Sequence, residues 1–380
     1  MNENALESKY LEGTFPIIKI PKETNYWIIR ASGGKYAKDF ELNNRITLDS
    51  ENININQVKS NYDVFRKTFE KHRLKESKHD SNLSISSQSI TISSKKIFNF
   101  IHTVKVGDVV LVPTYQSRYF IVGVVTDSAR QYSDLSDKNL ISKFEGENIP
   151  LSKDKFYREV SWINKVPRYK IDSSLLYTLT MHQTLIKLEE NTSHVNSLLT
   201  PLYIKADYLN LSLRVNKPEN ISSEDWEEFY SYLNALKTAN EDITVKSNVQ
   251  SPGYIDLSTL FSSIPYSAFF IILSFFLAGG DIEYGQLHFK INGLLPYAKD
   301  KLFKSKGNDN SKRKSETSNT SNPDNQFKQD SDCITLNFNE LNENQKEDLK
   351  DMIHTLDLSI DDVQKLAQNT IINSNQNEHD

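Results

Sequence analysis

The sequence predicts an α+β protein that begins with a small β-barrel or sandwich. Three short runs rich in β-branched and aromatic residues support this prediction, at residues 26–36, 104–113 and 158–163. Each run is bounded by glycine, proline or polar residues, which is typical of the strands of small barrels and sandwiches. A smaller α+β region, a polar linker and a helical tail are predicted to follow.

Composition limits what such a chain can do. At 380 residues it is long enough for two or three domains with proper cores. Its formal net charge of −5 supplies no overall positive field for nucleic acid, so any such contact has to be local. The one cysteine, Cys333, excludes an intramolecular disulfide, and the eight histidines show no metal-ligand spacing. We therefore expect neither a metal site nor a cofactor.

The first predicted domain covers residues 1–195. Apolar residues at helical spacing predict an amphipathic helix over 58–74. A segment rich in serine, lysine and asparagine predicts an exposed loop over 75–94, and a short helix is expected over 97–104. A nearly continuous β-branched run predicts a buried strand at 119–126.

The second predicted region covers residues 200–303. Alternating apolar and polar residues predict one half-buried strand over 203–215. A helix is predicted from Ser222 to about residue 236, because serine followed by acidic residues is typical of a helix N-terminus. Further along, residues 257–280 contain no charged side chain and predict a very apolar helix.

Two interpretations of this apolar helix remain open. Its length meets the criterion for a membrane span, whereas its dense part is nearer the length of a buried core helix. The first residues of the chain are acidic and lack the apolar stretch of a secretory signal. We therefore expect a cytoplasmic protein, with location at the cell membrane through residues 257–280 as the alternative.

The last part of the chain divides into a linker and a tail. Residues 304–331 are almost entirely polar and are predicted to be a disordered linker, because they cannot bury enough apolar surface to offset their chain entropy. Residues 332–380 recover apolar positions and are predicted to be a helical tail with two short helices within 342–369. Such an element suits docking of a protein partner.

Four short motifs carry a resemblance to a known family. They are Trp-x-x-Arg-Ala-x-x-Gly-Lys-Tyr at 27–36, Val-Gly-Asp-Val-Val at 106–110, Ile-Val-Gly-Val-Val at 121–125 and Arg-x-Val-x-Trp at 158–162. Together they resemble an N-terminal domain of prokaryotic Mrr-like restriction proteins, over roughly residues 26–188. That domain is similar to the PUA and EVE barrels, which hold a modified or flipped nucleobase in an aromatic pocket. The resemblance implies a PUA/EVE-like barrel that recognises a modified base, a nucleic acid or a nucleotide.

Ten residues are candidates for such a ligand site. Aromatic faces stack bases, phosphates favour cations, and backbone amides in a glycine turn bind anions. The candidate stacking faces are Trp27, Tyr115 and Trp162; the candidate phosphate or base-edge contacts are Arg30, Lys35 and Arg118; the candidate amide donors are Ser32, Gly33 and Gly34. Arg158 completes the set, with an ion pair to a nearby carboxylate as its alternative role. For each tryptophan, a place in the core remains the alternative to a ligand platform.

Catalysis finds no support in the sequence. The acidic pair and lysine that a metal-dependent nuclease needs are approached only by Asp281, Glu283 and Lys290, whose spacing does not fit. No nucleophile elbow, P-loop or His-Glu-x-x-His motif is present. We therefore predict that the protein is not an enzyme.

Two functional hypotheses follow. In the first, the protein is a non-catalytic sensor of an anti-phage defence system of the restriction-like or abortive-infection kind. Its barrel would recognise nucleic acid or a nucleotide, while residues 200–303 or the tail would bind an effector protein. In the second, it is a membrane-associated defence effector anchored by residues 257–280.

Overall fold

The structure, a computed structural model, divides into two compact units. It describes residues 14–77, 86–133, 140–171, 173–178, 183–189, 192–217, 219–235, 243–248, 253–260, 273, 286–295, 333–337 and 343–359. The first unit contains the described part of Glu23–Leu199, and the second contains the described parts of Met1–Lys22, Thr200–Tyr297 and Lys306–Asp380. Strand β1 (Thr14–Ile20) therefore belongs to the second unit, although the sequence grouped it with the first domain.

The first unit combines a mixed sheet with short helices. Its strands are β2 (Tyr26–Ile29), β3 (Arg45–Leu48), β4 (Val109–Pro113), β5 (Tyr119–Val125), β6 (Arg130–Gln131), β7 (Lys143–Phe144), β8 (Glu147–Asn148), β9 (Phe156–Pro167) and β10 (Leu185–Leu188). Its helices are α1 (Ala37–Leu42), α2 (Tyr62–Ser77), α3 (Ser87–Phe98), α4 (Ser173–Thr178) and α5 (Thr192–Leu199). A π-helical turn, Asn99–Thr103, continues α3. The predicted α+β class is confirmed.

The sheet has the strand order β10-β2-β4-β5-β9-β3, with β6 also paired to β9. Strands β2 and β4 are parallel, whereas the other pairs are antiparallel. Strand β9 changes partner along its length, because it pairs with β3 at its start and with β5 at its end. A bulge at Ile163 interrupts the β5–β9 register, and bulges bend the strand that carries them. The sheet consequently curls into a half-barrel.

Helices α2 and α3 cover the core of this unit. Phe65 and Phe69 on α2 and Ile97 on α3 are fully buried in it. The predicted loop over 75–94 is wrong at residues 75–77, which belong to α2, and from residue 87 onward, because a capping box starts α3 there. The Ser89 amide donates to the Ser86 hydroxyl at 3.0 Å, and the Ser86 amide donates to the Ser89 hydroxyl at 3.2 Å.

The second unit is built on another mixed sheet. Its further elements are β11 (Leu202–Lys205), β12 (Tyr208–Val215), α6 (Ser223–Ala235), β13 (Thr244–Asn248), β14 (Gly253–Leu260), β15 (Gln286–Gly293), β16 (Cys333–Asn337), α7 (Glu343–Thr355) and β17 (Leu358–Ser359). The strand order is β13-β14-β12-β11-β1-β15-β16, and β17 pairs with β12. The predicted single strand over 203–215 is a hairpin, because Ala206 and Asp207 have φ angles of 48° and 67° and reverse the chain.

The predicted apolar helix does not begin at residue 257. Leu257 to Leu260 form the end of β14, where Leu257 is fully buried opposite Leu211 of β12. Alternation of buried and half-buried positions along β14 explains this, since it is the period of a strand. Of residues 261–280, only residue 273 lies within the described chain. Among the described helices, none combines the length and apolarity that a membrane crossing requires.

The tail is a continuation of the second unit. Strand β16 pairs with β15, and β17 pairs with the end of β12. The prediction of two helices within 342–369 is therefore wrong at residues 358–359, which form a strand. Met352 on α7 and Leu356 just after it are fully buried, so this segment contributes to the core of the unit. The predicted linker over 304–331 lies outside the described residues.

Candidate functional site

The glycine turn after β2 is left-handed over three residues. Ser32, Gly33 and Gly34 have φ angles of 51°, 65° and 87°. The turn is closed by the Lys35 amide, which donates to the Ser32 carbonyl at 3.2 Å, and by the Tyr36 amide, which donates to the Ala31 carbonyl at 3.1 Å. It leads directly into α1.

Gly34 packs against the loop between β4 and β5. A Cβ atom at Gly34 would lie 2.3 Å from the carbonyl carbon of Thr114 and 2.3 Å from the amide nitrogen of Tyr115. No side chain fits in that space, so glycine permits the two backbones to touch. The Thr114 hydroxyl holds the loop by donating to the Tyr119 carbonyl and accepting from the Tyr119 amide, both at 3.0 Å.

An open cleft of about 710 Å³ lies where this turn meets the loop. It is lined by Ser32, Gly34, Lys35, Ala37, Lys38, Glu41, Thr114, Tyr115, Arg118, Tyr119 and Lys165. Tyr115 is 65% exposed and Tyr119 is 47% exposed. Tyrosines with this much free surface offer ring faces to a planar ligand.

The charges of the cleft are mostly positive. Lys35, Lys38, Arg118 and Lys165 contribute four cations, and Glu41 contributes one carboxylate. The Lys165 ammonium lies 3.1 Å from each Glu41 carboxylate oxygen, and the Lys38 ammonium lies 3.6 Å from one of them. Within the described chain, Lys35 and Arg118 have no carboxylate partner. The Lys35 ammonium lies 5.2 Å from the centre of the Tyr36 ring.

Backbone donors add to the positive character of the cleft. The amides of Ser32 and Gly34, two residues that line it, donate no hydrogen bond to any other described residue. Successive amides in a turn of unusual backbone conformation can bind an anion together.

The structure brings five of the ten predicted site residues to this cleft. They are Ser32, Gly34, Lys35, Tyr115 and Arg118. The other five lie elsewhere. Gly33 is exposed, with open space around its α-carbon, and does not line the cleft. Arg30 is half-buried, and its backbone amide donates to the Thr184 carbonyl at 2.8 Å.

Both predicted tryptophans have structural roles, Trp27 within the core and the half-buried Trp162 against it. Trp27 is 1% exposed and its indole N–H donates to the Asp108 carboxylate at 2.9 Å. Trp162 packs against the core, and its indole N–H donates to the Phe40 carbonyl at 2.7 Å. Of the three predicted stacking faces, only Tyr115 lines the cleft, where Tyr119 joins it.

Arg158 is a structural residue in this fold. It is 3% exposed and donates to the Phe100, Asp127 and Ile101 carbonyls at 2.8, 3.0 and 3.0 Å. Two of these carbonyls belong to the π-helical turn, so the guanidinium stabilises a helix end, where cations are favoured. Burial lowers the pKa of Arg158 to about 10. The expected alternative of a carboxylate ion pair is replaced by carbonyl acceptors.

Sequence reasoning missed five cleft residues with polar or aromatic side chains. They are Lys38, Glu41, Thr114, Tyr119 and Lys165. Lys35, Lys38 and Glu41 recur every third residue from the turn into α1, and helical neighbours at that spacing share a face. That spacing was a signal that could have been used. Lys165 joins them only because β9 pairs with β5, with Lys165 opposite Ile121.

The described residues contain no group of three or more His, Cys, Asp or Glu placed to hold a metal ion.

Comparison with known proteins yields no match: no family model, no curated protein and no solved structure corresponds to this chain. Nothing in these comparisons identifies a PUA- or EVE-like domain.

Proposed function

We propose that the first unit is a non-catalytic recognition module that binds a phosphate-bearing nucleotide, free or within single-stranded nucleic acid, in the cleft. The observation that carries the proposal is the combination of four cations with two exposed tyrosines around one opening. Phosphates bind lysine and arginine through charge-assisted hydrogen bonds, and bases stack on aromatic rings. A nucleotide carries both a phosphate and a base, so its binding site needs both cations and an aromatic ring.

The dimensions and charge of the site fit this ligand class. Binding pockets for small molecules have volumes of roughly 300–1,000 Å³, and the cleft has about 710 Å³. Since the whole chain carries a net charge of −5, attraction of an anion depends on this local cluster. An open cleft also suits a base that is already unpaired, because extruding a base from a duplex costs a few kcal/mol.

The biological setting rests on the resemblance to Mrr-like restriction proteins alone. That resemblance favours a PUA/EVE-like fold for the unit and recognition of a modified base or of phage nucleic acid within anti-phage defence. In such a system the second unit would bind the effector protein that responds.

The test is a binding titration of the full-length protein with a fluorescently labelled short single strand and with nucleoside monophosphates. Removing Arg118 (Arg118→Ala) should weaken binding and reduce the slope of log affinity against log salt by about 0.7, the value for one phosphate contact on a single strand. Removing Lys35 (Lys35→Ala) should act in the same direction. Lys71→Ala is the matched control, since Lys71 is an exposed lysine on α2 that does not line the cleft.

Tyrosine substitutions test the stacking half of the proposal. Tyr115→Ala should cost about 1–3 kcal/mol of binding without loss of the fold. Wild-type affinity in the Arg118→Ala, Lys35→Ala and Tyr115→Ala proteins would contradict the proposal, as would absence of binding by the wild type at low salt.

A further inference from the structure

We propose that Glu41 restricts the cleft to ligands that present a single phosphate, and that this phosphate binds at the turn side, between Lys35, Arg118 and the Ser32 and Gly34 amides. This inference rests on the proposed function. It assigns the ligand class as a nucleoside monophosphate or one nucleotide at the end of a strand, and it makes Glu41 a specificity-determining residue.

The four cations of the cleft have unequal environments. Lys38 and Lys165 share the Glu41 carboxylate, at 3.6 Å and 3.1 Å. Their two positive charges are therefore partly compensated within the protein. Lys35 and Arg118 have no carboxylate partner in the described chain, so their charge remains for a ligand.

The backbone donors and the uncompensated Lys35 belong to the same turn. The Ser32 and Gly34 amides belong to the turn that ends at Lys35, and neither donates to another described residue. Gly34 in turn touches the backbone of Thr114 and Tyr115, three residues before Arg118. In this proposal one phosphate accepts hydrogen bonds from the two amides and pairs with the two cations at the turn.

A second phosphate would meet a different surface. On the side of α1 and β9 it would have to replace Glu41 at Lys38 and Lys165 or lie beside a carboxylate of the same sign. The side chains of Glu41, Lys38 and Lys165 are 25%, 44% and 42% exposed, so this competition takes place in contact with solvent. A ligand with several phosphates therefore gains little binding free energy from the phosphates beyond the first.

The experiment compares ligands with one and several phosphates in the full-length protein. The probes are thymidine monophosphate and a short oligothymidylate with a terminal phosphate, bound to wild type, Glu41→Gln and Glu76→Gln. Glu76 is the matched control, because it is an ion-paired carboxylate of similar exposure, 24%, that lies on α2 and does not line the cleft. Both substitutions remove one negative charge.

Wild type should bind the two probes with affinities within about threefold of each other. Glu41→Gln should change the affinity for thymidine monophosphate by no more than about twofold. It should raise the affinity for the oligothymidylate about three- to tenfold, the range expected for freeing one or two exposed lysines. The salt slope for the oligothymidylate should also rise by about 0.7, since a second phosphate is bound. Glu76→Gln should change neither probe by more than about twofold.

Two outcomes would overturn the inference while the proposed function stands. One is tight wild-type binding of the oligothymidylate with much weaker binding of the monophosphate. The other is an oligothymidylate affinity that Glu41→Gln leaves unchanged. Absence of binding of both probes to wild type and to Glu41→Gln would overturn the proposed function and the inference with it.

Discussion

The indole N–H of Trp27 donates to the Asp108 carboxylate at 2.9 Å. The same carboxylate accepts from the backbone amides of Asn25 at 3.1 Å and Lys105 at 2.9 Å. Asp108 is 3% exposed and Trp27 is 1% exposed, so this contact lies in the interior, where it joins the start of β2 to the turn before β4. Trp27 therefore helps to hold β2, the strand that leads into the glycine turn, in place.

Truncation of Trp27 should therefore remove stability. Trp27→Ala is expected to lower the free energy of unfolding by about 3–5 kcal/mol, because it leaves a large cavity in the core and takes a donor from a buried carboxylate. Tyr115→Ala, on the exposed ring of the cleft, should change it by about 0.5 kcal/mol or less. Chemical denaturation measures both, and a stable Trp27→Ala protein that has lost its ligand would show that Trp27 is a ligand platform.

Substitutions of Gly33 and Gly34 distinguish the cost of a steric clash from the cost of a left-handed backbone conformation. Gly34→Ala should lower stability and ligand affinity together, because its Cβ would lie 2.3 Å from the Thr114 backbone and push the Tyr115 loop away. Gly33→Ala should cost only about 1–2 kcal/mol for its left-handed conformation, since nothing lies within 4 Å of the added atom. Thermal melting and a binding titration of both variants decide this, and equal effects would contradict a close contact at Gly34.

Two arginines should show opposite phenotypes. Arg158→Met is expected to lower the free energy of unfolding by about 2–4 kcal/mol, because three carbonyl oxygens lose a charged donor, and to leave ligand affinity unchanged in the folded fraction. Arg118→Met should leave stability within about 0.5 kcal/mol and weaken binding. Denaturation and titration of the two proteins side by side are the measurement. Loss of ligand affinity without loss of stability in Arg158→Met would show instead that Arg158 belongs to the ligand site.

Tyr26 should make the first unit sensitive to alkaline pH. Its hydroxyl donates to the Asn196 side-chain carbonyl at 2.6 Å, and burial, with a smaller contribution from the Asp108 charge, raises the pKa of the phenol above its usual value. In the folded state the proton is retained, whereas the unfolded chain releases it near pH 10. The contribution of this phenol to the free energy of unfolding is therefore fully present below about pH 10 and decreases as the pH rises above it.

Tyr26→Phe tests this dependence. At neutral pH the variant should be less stable by about 1–3 kcal/mol, because the buried Asn196 oxygen loses its donor. The difference from wild type should shrink as pH rises above about 10, since only wild type then loses stability through this phenol. Urea denaturation at a series of pH values checks the trend, and a difference that grows with pH would refute it.

The tail should remain attached after cleavage of the predicted linker. Limited proteolysis is expected to cut first within residues 304–331, because their composition is almost entirely polar. Strand β16 pairs with β15, and Met352 on α7 and Leu356 just after it are fully buried, so the C-terminal fragment should stay with the rest of the protein on gel filtration. Release of that fragment under native conditions would contradict its place in the second sheet.

By itself, the sequence determined the local elements whose pattern has one interpretation. The β-branched run at 119–126 became β5, and the capped segment after Ser222 became α6, because periodicity and end signals act over a few residues. The glycine turn was also predictable, since Gly33 and Gly34 adopt a backbone conformation that glycine favours. These features need no knowledge of distant contacts.

Only the tertiary structure decided which side chains face a ligand. A tryptophan in a strand looks the same in sequence whether it packs inside or outside, and the pairing of Trp27 with Asp108 depends on the β2–β4 register. Lys165 reaches Glu41 because β9 crosses the sheet beside β5. Contacts between residues 81 and 124 positions apart, as these two are, arise from strand register and chain crossing, and no local pattern encodes them.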